Sequence, residues 1–248
     1  MQAGPRVAMP TIDFGFSVGP AKKEEGGADW LVAEVKKAAP SRQQLGQLPP
    51  GMDREVSSLA GTTVRIRITP DGRESSMQLQ LGKSAQSELE RVATGAAEAL
   101  VLATVPLPPK PVGVGAQWIA ESRMPLSGVD VIAYRAYRVM AIEGDRVRLE
   151  LEVKAYAADK EPPLPGVPKG STLEEFESES GGELEIVRGE FLARKSEMKQ
   201  RLVMVFQGPG AGQQPTTNGP PPGGGVMQFQ TQASLVRGED VRVTSKQP

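Results

Sequence analysis

The chain has no cysteine and no histidine in its 248 residues. Without thiols there is no disulfide framework, no thiolate nucleophile and no thiolate metal ligand. Without imidazole there is no Ser-His-Asp arrangement, no imidazole acid/base step and no zinc site of the usual kind. The absence of cysteine fits an oxidising compartment, where stray thiols are a liability, although it does not by itself place the protein there.

Aromatic residues make up only 4% of the chain, too few for the stacking platforms of single-strand binders. The net charge of −1 comes from 29 basic and 30 acidic residues that are largely interleaved, so no basic field attracts phosphates and no nucleic-acid partner is expected. Long apolar runs are missing as well. The best, "ALVLATVPL" at 99–107, falls well short of the roughly 18 apolar residues that a bilayer-crossing helix needs, so no membrane span is expected. The opening "MQAGPRVAMPTIDFG" lacks the charged and apolar regions of a secretory signal. A removed signal or lipid anchor stays open.

What the chain does contain is 38% hydrophobic residues, enough for a sizeable core. Its 28 glycines and 22 prolines gather in loops. "TTVRIRIT" at 62–69 alternates, with Val64, Ile66 and Ile68 on one face and Arg65 and Arg67 on the other, which is the period of a half-buried strand. "PDGR" then supplies hairpin chemistry and "SSMQLQLG" returns with Met77, Leu79 and Leu81 on one face. Ser87 and Glu90 match a capping box, and Leu89, Val92, Ala96 and Leu100 follow at helical spacing, predicting a helix over about 84–103. "VPLPPKP" ends it.

Strands are predicted at 6–18, 29–37, 112–123, 130–142, 147–155 and 226–236, with a hairpin over 183–206 turning near "VRGE". Two interruptions stand out. Residues 158–182 hold four prolines and the cluster Glu174, Glu175, Glu177 and Glu179, predicted as an irregular acidic loop with a short helical turn capped by Ser171. Residues 207–225, "QGPGAGQQPTTNGPPPGGG", have too little apolar matter to offset the entropy of ordering and are predicted to be a flexible loop. The fold class is therefore α+β and mostly antiparallel β: a curved sheet or half-barrel of about ten strands with one inserted helix, in a single domain over 1–248.

Motifs that resemble known sites fail on context. "LGKSAQ" at 81–86 lies where a phosphate loop would end, but Met77 stands where that loop needs its first glycine. "SEMK" at 196–199 spells a serine–lysine pair that works on a helix, whereas a strand sends the two residues to opposite faces. The acidic cluster lacks the alternating ligands and central glycine of a calcium loop. Asp71, Glu143 and Asp145 fall in hairpin turns. No catalytic residue, metal site or cofactor is predicted.

"KPVGVGAQW" at 110–118 is the remaining candidate. Extended geometry would put Gly113 and Gly115 on one face with no side chains above them, and Val112, Val114, Ala116 and Trp118 on the other. Either a bulge or the tightly packed helix fills that space, or an apolar ligand does. Gly113, Gly115 and Trp118 are accordingly the candidate ligand-binding residues. The longer "LPPKPVGVGAQW" resembles the V-x-V-G-x-x-W signature of uncharacterised exported bacterial proteins, many of them lipoproteins, with Val112, Val114, Gly115 and Trp118 at the matching positions. "GGELEIVRGEFL" at 181–192 is similar to their later glycine-led hairpin. In strand count and inserted helix such proteins are similar to LolA-like carriers, whose half-barrel encloses an apolar cavity.

That resemblance implies a non-enzymatic envelope protein, periplasmic or associated with the outer membrane, with a cleft between sheet and helix for a lipid or other apolar ligand. A cytoplasmic location stays open. The alternative is a structural or adaptor protein that binds another protein through its sheet edge or loops. A hydrolase acting through carboxylates alone is a third reading. Periodicity cannot separate the first two, because a cavity lining and a core lining are both apolar.

Overall fold

A computed structural model describes residues 12–20, 29–41, 51–69, 74–86, 89–162, 164, 167–190, 192–208 and 225–236. In chain order the elements are β1 (Ile12–Pro20), β2 (Asp29–Pro40), α1 (Met52–Ser57), β3 (Thr63–Ile68), β4 (Glu74–Gln80), α2 (Glu90–Leu102), β5 (Gln117–Leu126), β6 (Val129–Glu143), β7 (Arg146–Ala157), β8 (Thr172–Val187), β9 (Lys195–Gln207) and β10 (Gly225–Val236). The fold is mostly antiparallel β, as the alternating segments predict. Its strands form two sheets, one in the order β1-β2-β3-β4 and the other in the order β10-β9-β8-β7-β6-β5. Every neighbour in both sheets is also a neighbour in sequence, which is what hairpin connections produce. No helix among the described residues is long and apolar enough to cross a membrane.

The alternation read in the sequence becomes burial. Val64, Ile66 and Ile68 of β3 are buried while Arg67 is exposed, and on β7 Leu149, Leu151 and Val153 are buried between exposed Arg148, Glu152 and Lys154. One continuous core contains Leu31, Val64 and Ile66 of the first sheet, Leu100 and Val101 of α2, and Val131, Leu149, Leu184 and Leu202 of the second. A smaller cluster, Val35, Ala38, Val56, Leu59 and Ala93, joins β2, α1 and α2. Helix α2 therefore contributes to both.

Three expectations change. The helix begins at Glu90, with Leu89 as its N-cap and no side-chain capping bond. Ser87 of the expected capping box lies outside the described residues, as do 209–224 of the expected flexible loop and 6–11 of the first expected strand. The acidic segment is the second change. Residues 172–182 are no loop but the first part of β8, paired with β9 from Thr172 and with β7 as well from Glu179 onward. Ser171 caps no helix; it is buried just before the strand starts. Glutamate has weak β propensity, but Glu175, Glu177 and Glu179 fall at alternate positions. Lys154 and Arg201 stand directly across from Glu179, so pairing overrides propensity there. The third change, at 112–116, is part of the candidate site.

Mid-strand glycines in β8 have a steric reason. A Cβ at Gly182 would overlap the backbone carbonyl of Glu197 and crowd the Met198 sulfur, and one at Gly181 would come within 3.3 Å of the Leu151 carbonyl. Only glycine permits this approach of β7, β8 and β9. Gly182→Ala should therefore destabilise the protein by about 1 to 3 kcal/mol, as overpacking does, measured by urea unfolding. An alanine variant as stable as the parent would contradict the register Gly182↔Met198.

Candidate functional site

The stretch at 110–118 is a turn before it is a strand. The Ala116 N–H donates to the Gly113 carbonyl at 3.0 Å, and Gly115 has φ +84°, a left-handed value suited to glycine. The turn is tied to β6: the Gly115 N–H donates to the Val139 carbonyl at 2.9 Å, and the Val139 N–H donates to Ala116 at 3.0 Å. Because the backbone reverses at Gly115, the shared face expected of Val112, Val114, Ala116 and Trp118 does not form, and β5 starts only at Gln117. Val112 and Val114 are exposed. A Cβ at Gly113 or Gly115 would meet nothing within 4 Å, so neither glycine marks a close approach.

Trp118 alone of the three candidate residues turns inward. It packs half-buried against the core, its indole N–H donates to the Pro106 carbonyl at 2.9 Å, and its ring stacks on Tyr137 with centroids 5.1 Å apart. The structure thus separates Trp118 from the two open glycines and does not gather the three around a cavity. An open cavity of about 700 Å³ lies elsewhere, on the polar strands, lined by Glu179, Ser180, Gly181, Lys199, Gln200, Arg201 and Gln232.

Beneath Trp118 is a buried polar centre that the sequence analysis did not single out. Helix α2 ends inside the protein, where its last carbonyls lack helical partners and carry the negative end of the helix dipole. Arg135, wholly buried on β6, directs Nη1 to the carbonyls of Val101 at 3.4 Å and Thr104 at 3.3 Å. The Tyr137 hydroxyl donates to the Thr104 carbonyl at 3.2 Å, and the Thr104 hydroxyl donates to Val101 at 2.7 Å. A signal existed: in "VIAYRAYRV" the parity that places Val131, Ala133, Tyr137 and Val139 inward also places Arg135 there. The guanidinium is engaged by carbonyls, and this centre holds up the fold.

A second buried ionisable group sits on the same helix. Glu98 accepts a 2.7 Å hydrogen bond from the Ser127 N–H, in the two-residue turn between β5 and β6 where Ser127 (φ 51°) and Gly128 (φ 84°) are both left-handed. That is the pattern of a type I′ hairpin, and the Glu98 carboxyl group clasps it. Burial pushes the Glu98 carboxyl up from 4.5 to about 8, against the pull of the Ser127 bond. No three acidic side chains among the described residues are grouped so as to hold a metal ion.

The sheet edges differ from one another. Proteins blunt exposed edges with charge, proline, bulges or covering elements. β1 carries Asp13, Pro20 and a register shift between Gly15 and Phe16. β4 carries Glu74 and packs against β5. β5 carries Glu121, Arg123 and Pro125, with the Arg123 Nε 2.9 and 3.1 Å from the two carboxylate oxygens of Asp130 on β6. β10 has none of these devices. Its twelve residues, "GVMQFQTQASLV", include no charge and no proline, and its pairing with β9 runs unbroken from Gly225↔Phe206 to Val236↔Lys195. Among the described residues no strand lies along its outer side.

Two variants test the buried centre. Arg135→Met should cost about 1.5 to 3 kcal/mol in chemical unfolding, the worth of hydrogen bonds from a charged donor; an unchanged midpoint would contradict the capping role. Glu98 predicts a pH slope. Between 4.5 and about 8 the folded chain keeps a proton that the unfolded chain releases. Stability should therefore be highest at the acid end and fall by up to roughly 1.4 kcal/mol per pH unit as pH rises. Glu98→Gln should flatten that slope and exceed the parent's stability at the alkaline end, as followed by urea unfolding across pH. Parallel curves would contradict it.

A scan of family models, a search of curated proteins and a search of solved structures each found no match to this chain.

Proposed function

We propose that this chain is a non-enzymatic structural or adaptor protein of the bacterial envelope, and that it binds another polypeptide by adding a strand to β10. The observation that carries the reading is the contrast between edges: β10 is the longest of the four and carries none of the devices that blunt the others. An added strand satisfies the outward N–H and C=O groups of such an edge, and main-chain bonds supply the affinity. Envelope placement rests on the resemblance of "LPPKPVGVGAQW" to exported bacterial proteins, together with a composition free of cysteine.

The other reading, an apolar ligand between sheet and helix, finds less support. The inward residues of α2, Ala97, Leu100 and Val101, are buried in one core with strands of both sheets, and the open cavity, lined mostly by charged and polar residues, is on a different part of the molecule. Gly113 and Gly115, the residues nominated to admit the ligand, face open space.

The test is native mass spectrometry of the protein purified from its own host, combined with amide hydrogen exchange. The expected result is a retained polypeptide, slowed exchange over 225–236, and loss of both in Gln230→Glu, a position whose register partner on β9 is Arg201. A retained lipid, with fatty-acid affinity rising by about 0.8 kcal/mol per methylene and β10 exchange unaltered, would establish the apolar-ligand reading instead.

A further inference from the structure

Resting on the reading of β10 as the binding edge, we propose that the strand it receives is β10 of a second copy, paired antiparallel about a two-fold axis near position 230, so that two six-stranded sheets become one continuous sheet.

In a two-fold pair of identical strands every residue faces a residue of the same segment, so any charge that the strand carries is set near its own kind. Like charges directly opposite one another are destabilising. β9, the next strand in, carries Lys195, Glu197, Lys199 and Arg201, and the opposite edge β5 carries Glu121 and Arg123. β10 alone in this sheet is free of charge along its whole length. A partner of different sequence would place no such demand on it, since its charges could be complemented by opposite ones.

The pattern of the segment fits itself. Positions 228, 230 and 232 are all glutamine. An axis through 230 sets 228 of one copy against 232 of the other and 230 against itself. A side-chain amide is both donor and acceptor, so identical amides can bond in a ladder where identical charges would repel. The same axis sets 226 against 234, 227 against 233 and 229 against 231, and none of these pairings brings charges together. Unbroken register with β9 keeps the open side of β10 free of the local kink that a bulge introduces. A two-fold pair is also self-limiting, because it uses the β10 edge of each copy.

The test uses sedimentation velocity over a concentration series with the full chain and charge variants at one position. The parent should dimerise. Gln230→Lys and Gln230→Glu should each raise the dimer Kd at least about tenfold by setting like charges on the axis, and mixing the two variants should restore a dimer of one copy of each. Rescue by mixing cannot arise from misfolding. Since the chain has no cysteine, single substitutions Gln228→Cys, Gln230→Cys and Gln232→Cys report cleanly, and oxidative cross-linking should peak at 230.

A parent that remains monomeric, or a dimer indifferent to both charges and cross-linked equally at all three positions, overturns the self-pairing. The wider reading fails separately. A monomer whose β10 amides are protected by a host polypeptide keeps strand addition and loses only the second copy, whereas a monomer with β10 unprotected in every host complex loses both.

Discussion

The end of α2 is the point on which the rest of the architecture depends. A helix that stops inside a protein brings unpaired carbonyls and the negative end of its dipole into a region without water, and something cationic or donating must meet them. Here β6 supplies both, Arg135 to the Val101 and Thr104 carbonyls and Tyr137 to the latter. The same segment is held from other sides by the Ala193 N–H on the Ala103 carbonyl and by the indole of Trp118 on Pro106. With its end fixed, the helix can present Leu100 and Val101 to a core built from both sheets and Ala93 to the smaller cluster around α1.

The functional consequence follows from that packing. A helix locked to the sheet by buried polar bonds and packed through small residues such as Ala93 and Ala97 is a spacer between layers; a carrier would need a space that opens there. Glu98, one turn before the helix end, clasps the β5–β6 turn from the same side. On the proposed reading the interior holds the fold. Among the described residues, no strand pairs with the outward side of β10.

The hairpins were legible because each combined period-two burial with turn chemistry, as in 130–155 and 183–206, and one strand's register fixes the next. The long helix was legible from its spacing, and its start was not, because Leu89 replaces the expected side-chain cap. The first half of β8 was obscured by its own composition: beyond Leu173 and Phe176, the glutamates on the outer face and Ser178, Ser180 and Gly182 carry no hydrophobic signal. Pairing with β9, joined by β7 from Glu179 onward, decides that segment. The 113–115 turn was misread as strand because alternating valines imitate the period, while the left-handed φ at Gly115 is set by bonds to Val139 far along the chain. Arg135 shows the reverse failure, a parity that was plain but attached to a residue type rarely buried without a purpose. The contrast between edges could not be read at all until the strand order was known.

The most direct test of the claim that the interior is structural and the β10 edge is the working surface is an electron-density map of the protein isolated from its own host with whatever it carries. The account predicts an additional strand continuing the sheet alongside 225–236 and no density between α2 and the strands it packs on. Elongated apolar density between Leu100 and the sheets, with β10 bare, would contradict it.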